Sequence, residues 1–409
     1  MNFKKLTFQN PQGEQLSARL DLPVDGQPIA YALFAHCFTC SKNLKAVANI
    51  NEALNQQGIA VLRFDFTGLG ESEGDFADTN FSSNIEDLVA AARFLKEAYE
   101  APKIMIGHSL GGAAILQAAL QVEEVVAVAT IGAPHDPEHV EHLFESSREE
   151  IERDGQAVVR LAGRPFTIKK QFIEDLRGQQ VDGGLARLKR ALLIMHSPVD
   201  RTVSIDNAKM IFLAARHPKS FLSLDQADHL LTNELDSRYV GTVLAAWARK
   251  YIGALEESPR FTEDAHDSLV VARIGEEPYR TEILANGHAM LADEPRSLGG
   301  TNAGPTPYQY LAAGLGACTA ITLRMYADRK KWPLQGVSVE LTHQKVHAED
   351  CDCEARISGK IDQIQRVVSL EGPLDEDQQA RLLEIANRCP VHRTLMEGQV
   401  DVKTRMGET

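Results

Sequence analysis

At 409 residues the chain is long for a single hydrophobic core, so two domains are expected. Its 57 acidic against 43 basic residues give a formal net charge of -14 with no long basic run, which argues against nucleic acid or an anionic membrane as a partner. The opening Met1-Asn-Phe-Lys-Lys-Leu-Thr-Phe8 lacks a signal-peptide core and no apolar span is long enough for a bilayer, so the expected compartment is the cytoplasm.

Strand-like runs at Lys4–Phe8, Gln15–Leu22 and Ile29–His36 lead into a helix at Leu44–Gln57 and a strand at Ile59–Phe66. After two hairpin strands, short apolar strands alternate with amphipathic helices, the pattern of a mostly parallel, doubly wound sheet covered on both faces. A helix is expected over Asn80–Tyr99, where Ile85, Leu88, Val89, Ala92, Phe94 and Leu95 supply an apolar face. Next come a strand at Lys103–Gly107, a helix at Leu110–Gln121, strands at Val125–Ile131, Ala191–His196 and Ser220–Leu224, and a closing helix at Leu235–Tyr251. The charged insertion at about 134–188 reads as helical, at Pro137–Arg153 and Thr167–Leu176, and is placed to be a lid that shapes an acyl pocket. The first domain therefore spans 1–252, and 253–265, rich in acidic residues, is a linker.

From 266 to 409 the rhythm changes to that of an α+β domain. Strands are expected at Leu269–Ile274, Tyr279–Ala285 and His288–Leu291, then a long helix over Thr306–Arg329. The middle of that helix, Leu311 to Leu323, is apolar on all faces and dense in small residues, so it should be buried all round. Strands at Val337–His347 and Ala355–Leu370, a helix at Asp375–Asn387 and a last strand at Gln399–Arg405 follow.

The stretch Ile104-Met-Ile-Gly-His-Ser-Leu-Gly-Gly112 turns from strand to helix at Ser109, with Gly107 and Gly111 in G-x-S-x-G spacing. A serine on so tight a turn leaves no room for side chains two positions either side, which is the logic of a nucleophile elbow. Serine is a weak nucleophile at neutral pH, so a histidine must take its proton and a carboxylate must hold that histidine's tautomer. Asp200 lies beyond the strand Ala191–His196 and His229 beyond the strand at Phe221, giving the order Ser109, Asp200, His229. Asp136, Asp206, Asp225 and Asp228 are rival acids that could equally cap helices or sit in turns, and His36 and His108 read as structural neighbours. An oxyanion hole needs two amides, one from Leu110 and the other from the loop His36-Cys-Phe-Thr-Cys40, assigned to Phe38.

On these residues the chain from 1 to 252 resembles the α/β-hydrolase superfamily. The loop at His36 resembles the family's His-Gly-Phe motif with Cys37 in place of glycine, and Asp65-Phe-Thr-Gly-Leu-Gly-Glu-Ser72 resembles its Asp-x-x-Gly-x-Gly-x-Ser turn. The C-x-x-C of Cys37 and Cys40 has no helix starting at its first cysteine, so packing within the loop is the expected role.

The six cysteines are no disulfide scaffold for a chain this size. Residues 266–408 resemble the OsmC/Ohr family of thiol peroxidases through Pro307-Tyr-Gln-Tyr-Leu-Ala-Ala-Gly-Leu-Gly-Ala-Cys318 and Cys389-Pro390. The resemblance implies an intertwined homodimer, with Cys318 as the peroxidatic thiolate, Cys389 as the resolving cysteine and Arg280 as the activating cation. Active peroxidases of that family carry a glutamate ten positions before the first cysteine; Tyr308 stands there, with Gln309 beside it. By its residues alone, Cys318 inside an apolar helix is equally a small, inert core residue. His343, His347, Cys351 and Cys353 share a strand face but span too far for one tetrahedral ion, so no metal is expected.

The sequence thus reads as a cofactor-independent serine hydrolase of carboxylesterase or thioesterase type, acting on a small-molecule acyl ester or thioester. The second half is either a dimerising or binding module, or a second enzyme that reduces an organic hydroperoxide at the expense of a dithiol.

Overall fold

The computed structural model describes residues 2–36, 42–161, 164–179, 181–253, 270–275, 277–347, 360–398 and 400–406. Two compact units divide the chain, one formed by Met1–Glu276 with Glu282–Met290 and the other by Glu277–Thr281 with Leu291–Thr409.

In the first unit, β1 (Asn2–Gln9), β2 (Gln15–Leu22), β3 (Ala30–Ala35), α1 (Lys45–Gln56) and β4 (Ile59–Phe64) come first, then α2 (Phe81–Ala98) and β5 (Ile104–His108). They are followed by α3 (Leu110–Ala118) and β6 (Ala127–Ile131). The insertion holds α4 (Arg148–Asp154), β7 (Gln156–Leu161), β8 (Arg164–Lys169), α5 (Lys170–Arg177) and α6 (Val181–Arg187). β9 (Ala191–His196), α7 (Asp206–Ala214), β10 (Lys219–Ser223) and α8 (Glu234–Arg249) close the unit. Eight strands form one sheet in the order β1-β2-β4-β3-β5-β6-β9-β10. β1, β2 and β4 pair antiparallel, and every pairing from β4 to β10 is parallel.

Alternation fixes which face each side chain joins. In β3, Tyr31, Leu33 and Ala35 enter one apolar cluster while Ala32 and Phe34 enter the other, so the sheet has a core on each side. This is the doubly wound α/β fold expected, and the parallel strands present their C-terminal ends, where Ser109, Gly132 and Ser197 begin the loops, to one edge.

The insertion departs from the helical reading. Gln156–Leu161 and Arg164–Lys169 pair antiparallel as a hairpin, so Thr167–Lys169 is strand rather than helix. Gly155, in the left-handed region at φ 79°, ends α4, after which Ala157, Val159 and Ile168 turn inward in strand alternation.

In the second part of the chain, β11 (Val270–Ile274), β12 (Thr281–Ala285) and β13 (His288–Ala292) form a three-stranded sheet. α9 (Pro307–Lys330) packs on an antiparallel pair, β14 (Gly336–His347) and β15 (Lys360–Glu371), and is followed by α10 (Glu376–Ala386) and α11 (Pro390–Glu397). Thr306 and Gln309 form a capping box at the start of α9, with Pro307 at its first turn. Leu323, Ala327, Leu334, Leu374, Leu382 and Ile385 make the core.

Two expectations for this unit are corrected. Within one chain α9 is buried along one stripe only, Leu315, Gly316, Thr319, Leu323 and Ala327, while Ile321 and Met325 are 60% and 67% exposed. A two-stranded sheet covers one side of a helix and leaves the other open. Residues 400–406 join no ladder, so the alternation that suggested a strand at Gln399–Arg405 finds no partner among the described residues, and Val400 and Val402 are exposed. The helix α11 was not foreseen, although proline at its first turn is a start signal.

Candidate active site

β5 ends at His108, and the backbone swings through Ser109 at φ 56° and ψ -131° into α3. A non-glycine residue in the left-handed region is strained, and close packing holds it there. A Cβ on Gly107 would lie 2.4 Å from the Gly111 carbonyl oxygen, and one on Gly111 would lie 2.4 Å from that of His36. Both glycines are thus demanded by backbone contact, as the G-x-S-x-G reading requires. Leu110 opens α3, so its N–H is among those the helix leaves unpaired at its positive end.

The structure brings Ser109, His229 and Asp200 together. His229 Nε2 lies 2.9 Å from Ser109 Oγ, and His229 Nδ1 lies 2.7 Å from Asp200 Oδ2. A carboxylate only accepts, so Nδ1 carries the proton and Nε2 accepts from the serine hydroxyl. The Asp200 side chain is 2% exposed and that of His229 11%. Burial alone would raise the Asp200 carboxyl, but the His229 hydrogen bond and the Val203 and Thr202 amides on it outweigh that and hold it below the usual range. Those amides donate to Asp200 Oδ1 at 3.0 and 2.8 Å.

The rival acids serve local structure. Asp136 accepts from the Glu138 amide, Asp225 from the Ser223 hydroxyl, Asp228 from the Leu230 amide and Asp206 from the Ser204 hydroxyl. Phe38, Cys37 and Cys40 lie outside the described residues, as do Cys351 and Cys353. Lys42 donates its amide to Asp65 Oδ1 at 2.7 Å and its ammonium to Asp65 Oδ2, and its carbonyl accepts from Arg63. Gly70 makes room for that carboxylate, since a Cβ there would meet it at 2.3 Å.

Three residues lie close to Ser109, His229 and Asp200, and two of them, Gly132 and His196, went unnoticed in the sequence. Gly132, at φ 55° beyond β6, lies against Asp200 and His229. Its one signal was a glycine at a strand end. His196 donates Nε2–H to the Val203 carbonyl at 2.8 Å, and His108 donates Nε2–H to the His229 carbonyl at 2.6 Å. Only His108 had been singled out, as a neighbour. Burial, reinforced by the adjacent His229 ring, pushes His108 down to about 3.

In the second unit Cys318 and Cys389 are both free thiols. Cys389 is fully buried at the N-cap of α11, where its Sγ accepts from the His392 amide at 3.3 Å. Its Sγ also lies 3.6 Å from the hydroxyl of Thr319, the neighbour of Cys318. The guanidinium bonded to that hydroxyl is Arg366, at 2.9 Å, a residue no sequence motif marked. Arg280 is buried and faces Glu277 at 3.7 Å. Tyr308 stacks on His343 with ring centroids 4.2 Å apart, and Gln309 closes the capping box of α9. His343 also bonds Asp362, at 2.9 Å.

The fold and this arrangement are those of an α/β hydrolase followed by a second, α+β domain. A family model described as serine aminopeptidase, S33 matches residues 29–151, and one described as OsmC-like protein matches residues 300–405. A crystal structure of the esterase domain of a Rhodothermus marinus protein is 59% identical, with a TM-score of 0.53, and covers 62% of this chain and 100% of its own. The palmitoyl-protein thioesterase ABHD10, mitochondrial, of Rattus norvegicus is 30% identical over 122 residues, which are 30% of this chain and 40% of that protein. The chain thus spans about two fifths of that curated relative's length. The mouse alpha/beta hydrolase domain-containing protein 10 shares the fold, at 20% identity and a TM-score of 0.51, over 60% of this chain and 99% of its own. The chain belongs to the α/β-hydrolase family in its N-terminal part and carries an OsmC-like domain in its C-terminal part. No helix among the described residues is long and apolar enough to cross a membrane.

Proposed function

We propose that the N-terminal part hydrolyses a small-molecule acyl ester or thioester through an acyl-Ser109 intermediate, with no cofactor. The observation that carries this is the unbroken hydrogen-bond chain from Ser109 through His229 to buried Asp200. Ser109 Oγ attacks the acyl carbon as its proton passes to His229 Nε2, and Asp200 stabilises the imidazolium. The tetrahedral oxyanion is held by the Leu110 amide and, on the sequence reading, by that of Phe38. His229 then gives its proton to the departing alkoxide or thiolate. Water, deprotonated by the same imidazole, releases the acid and restores Ser109.

Ester and thioester chemistry is supported by the named activities of the relatives, an esterase domain and a thioesterase. The domain limits we propose are 1–252 for the hydrolase, with a lid at about 134–188, then a linker at 253–265 and the OsmC-like domain from 266, working in the cytoplasm. The test is hydrolysis of p-nitrophenyl and acyl-thioester substrates by the full chain beside Ser109→Ala, with loss on the order of 10⁴-fold expected. Undiminished turnover in the variant would refute the assignment.

For the second domain we propose a homodimer, supported by the exposed Ile321 and Met325 on an otherwise apolar helix. Analytical ultracentrifugation tests it. A second activity, thiol-dependent reduction of an organic hydroperoxide, is favoured by the position of Cys389 against the helical turn that bears Cys318. Dithiol-dependent consumption of cumene hydroperoxide, lost in Cys318→Ser, would make the protein bifunctional.

A further inference from the structure

Two buried histidines next to the triad spend their ring hydrogen bonds not on the serine but on the backbone on which another triad member rides. His196 ends β9 and donates to the carbonyl of Val203, the residue whose amide binds Asp200 Oδ1. His108 ends β5, one position before the nucleophile, and donates to the carbonyl of His229 itself. We propose that His196 and His108 are positioning residues, tying the loops that carry Asp200 and His229 to the ends of β9 and β5, the two strands that flank β6 in the parallel sheet. The inference rests on the Ser109 reading of the hydrolase site.

Proton accounting supports it. A backbone carbonyl can only accept, so Nε2 of each ring must hold the proton. Nδ1 of each is buried and makes no hydrogen bond among the described residues. Both rings are therefore neutral, single-purpose donors, and burial holds both below the usual histidine range. His196 Nε2 lies 3.7 Å from Asp200 Oδ2, near enough to compete for it, but its proton is given to Val203. Asp200 Oδ2 is thereby left to His229 Nδ1 at 2.7 Å. An apolar residue would fill either buried site without an unpaired nitrogen, so packing alone does not call for imidazole here.

The charged and titratable groups around the two rings are few. Asp200 and His229 act on His196, and His229, Asp200 and His36 act on His108. None offers either Nδ1 a partner, so the role is steric and directional rather than acid–base.

The test is the rate at which a fluorophosphonate labels Ser109 in the full chain, together with kcat, KM and the pH profile on a p-nitrophenyl ester. His196→Leu and His108→Leu should each slow labelling and kcat by about tenfold or more with KM within about twofold, because an alignment is lost rather than a binding contact. His196→Gln and His108→Gln, which keep an amide N–H at the reach of Nε2, should recover most of that loss. The acid limb of the His196→Leu profile should also move to lower pH, as a misplaced Asp200 supports the His229 imidazolium less well. Leucine variants that fold, by circular dichroism, and label at the wild-type rate would overturn the proposal, as would glutamine variants no better than leucine. Should a leucine variant not fold, its glutamine counterpart decides: a rate near wild type supports the proposal, and a tenfold loss overturns it. Wild type that fails to label, or Ser109→Ala that labels equally, would instead refute the Ser109 reading and the inference with it.

Discussion

A Cβ built on Gly132 would lie 3.4 Å from Nδ1 of His229 and 3.3 Å from Oδ2 of Asp200, so this glycine sets the clearance around the bond between those two side chains. Its φ of 55° adds backbone strain for any other residue. Gly132→Ala is expected to destabilise the chain by about 1–2 kcal/mol through the left-handed backbone and to slow Ser109 acylation by about tenfold through displacement of His229. Burst-phase kinetics on a p-nitrophenyl ester beside an unfolding curve separates the two effects. An unchanged burst rate would show that the neighbouring side chains relax without loss.

The second prediction concerns the buried carboxylate of Asp65. Asp65 is 1% exposed and receives the Lys42 amide, the Lys42 ammonium and the Glu71 amide. Glu71 binds the same ammonium at 2.8 Å from a side chain that is 66% exposed. Removing one partner of a buried pair strands the other, whereas water replaces a surface partner. Asp65→Asn should therefore cost about 3 kcal/mol in chemical unfolding. Glu71→Gln should leave the midpoint almost unmoved. Equal effects would mean that the Lys42 charge is solvated in solution.

A third prediction follows from His108. Its folded value of about 3 lies below that of an exposed histidine, about 6.5, so on acidification the unfolded chain takes up the proton first. The stability contributed by the neutral ring is complete above about pH 6.5 and is lost as pH falls toward 3, by up to about 1.4 kcal/mol per pH unit. His108→Gln has nothing to titrate at this position. Unfolding free energies of the two proteins should converge on acidification from pH 7 to 4.5, the wild type losing more. Parallel curves would show that His108 protonates in the folded state at an ordinary pH.

Much of this site was legible because its parts lie at the ends of short apolar strands. Gln15–Leu22 and Ala191–His196 are strands to the residue, bounded by polar turns, and Ser109, Asp200 and His229 each follow one. The β7–β8 hairpin was hidden because Ala157, Val159 and Ile168, its inward residues, stand in a charged insertion that read as mostly helical. Gly132, His196 and Arg366 left little trace because each acts on a partner reached only through the fold. His196 reaches a carbonyl seven residues on, across a turn, and Arg366 reaches a hydroxyl 47 residues earlier. Periodicity reports which face of an element is apolar, not which polar atoms meet once elements pack.

Arg366 carries the last prediction. Its guanidinium donates to Thr319 Oγ1 at 2.9 Å, to the Ala386 carbonyl at 3.1 Å and to Asn387 Oδ1 at 2.6 Å. It therefore ties α9, one residue from Cys318, to the turn that delivers Cys389. The Thr319 proton goes to the Leu315 carbonyl at 2.8 Å, so its oxygen accepts from Arg366 and is free to accept the Cys389 S–H as well. If hydroperoxide converts the Cys318 thiolate to a sulfenic acid with release of alcohol, Cys389 must then attack that sulfur and expel water to close the disulfide. The approach depends on the 386–389 turn staying against α9. Arg366→Met should slow closure after one equivalent of cumene hydroperoxide by about tenfold, and Arg366→Lys, keeping the charge but not the fork, should restore part of it. Loss of free thiols with time, with the disulfide located by peptide mass, reads this directly. Closure at the wild-type rate in Arg366→Met would show that the turn needs no such tie, and no disulfide in the wild type would remove the peroxidase reading itself.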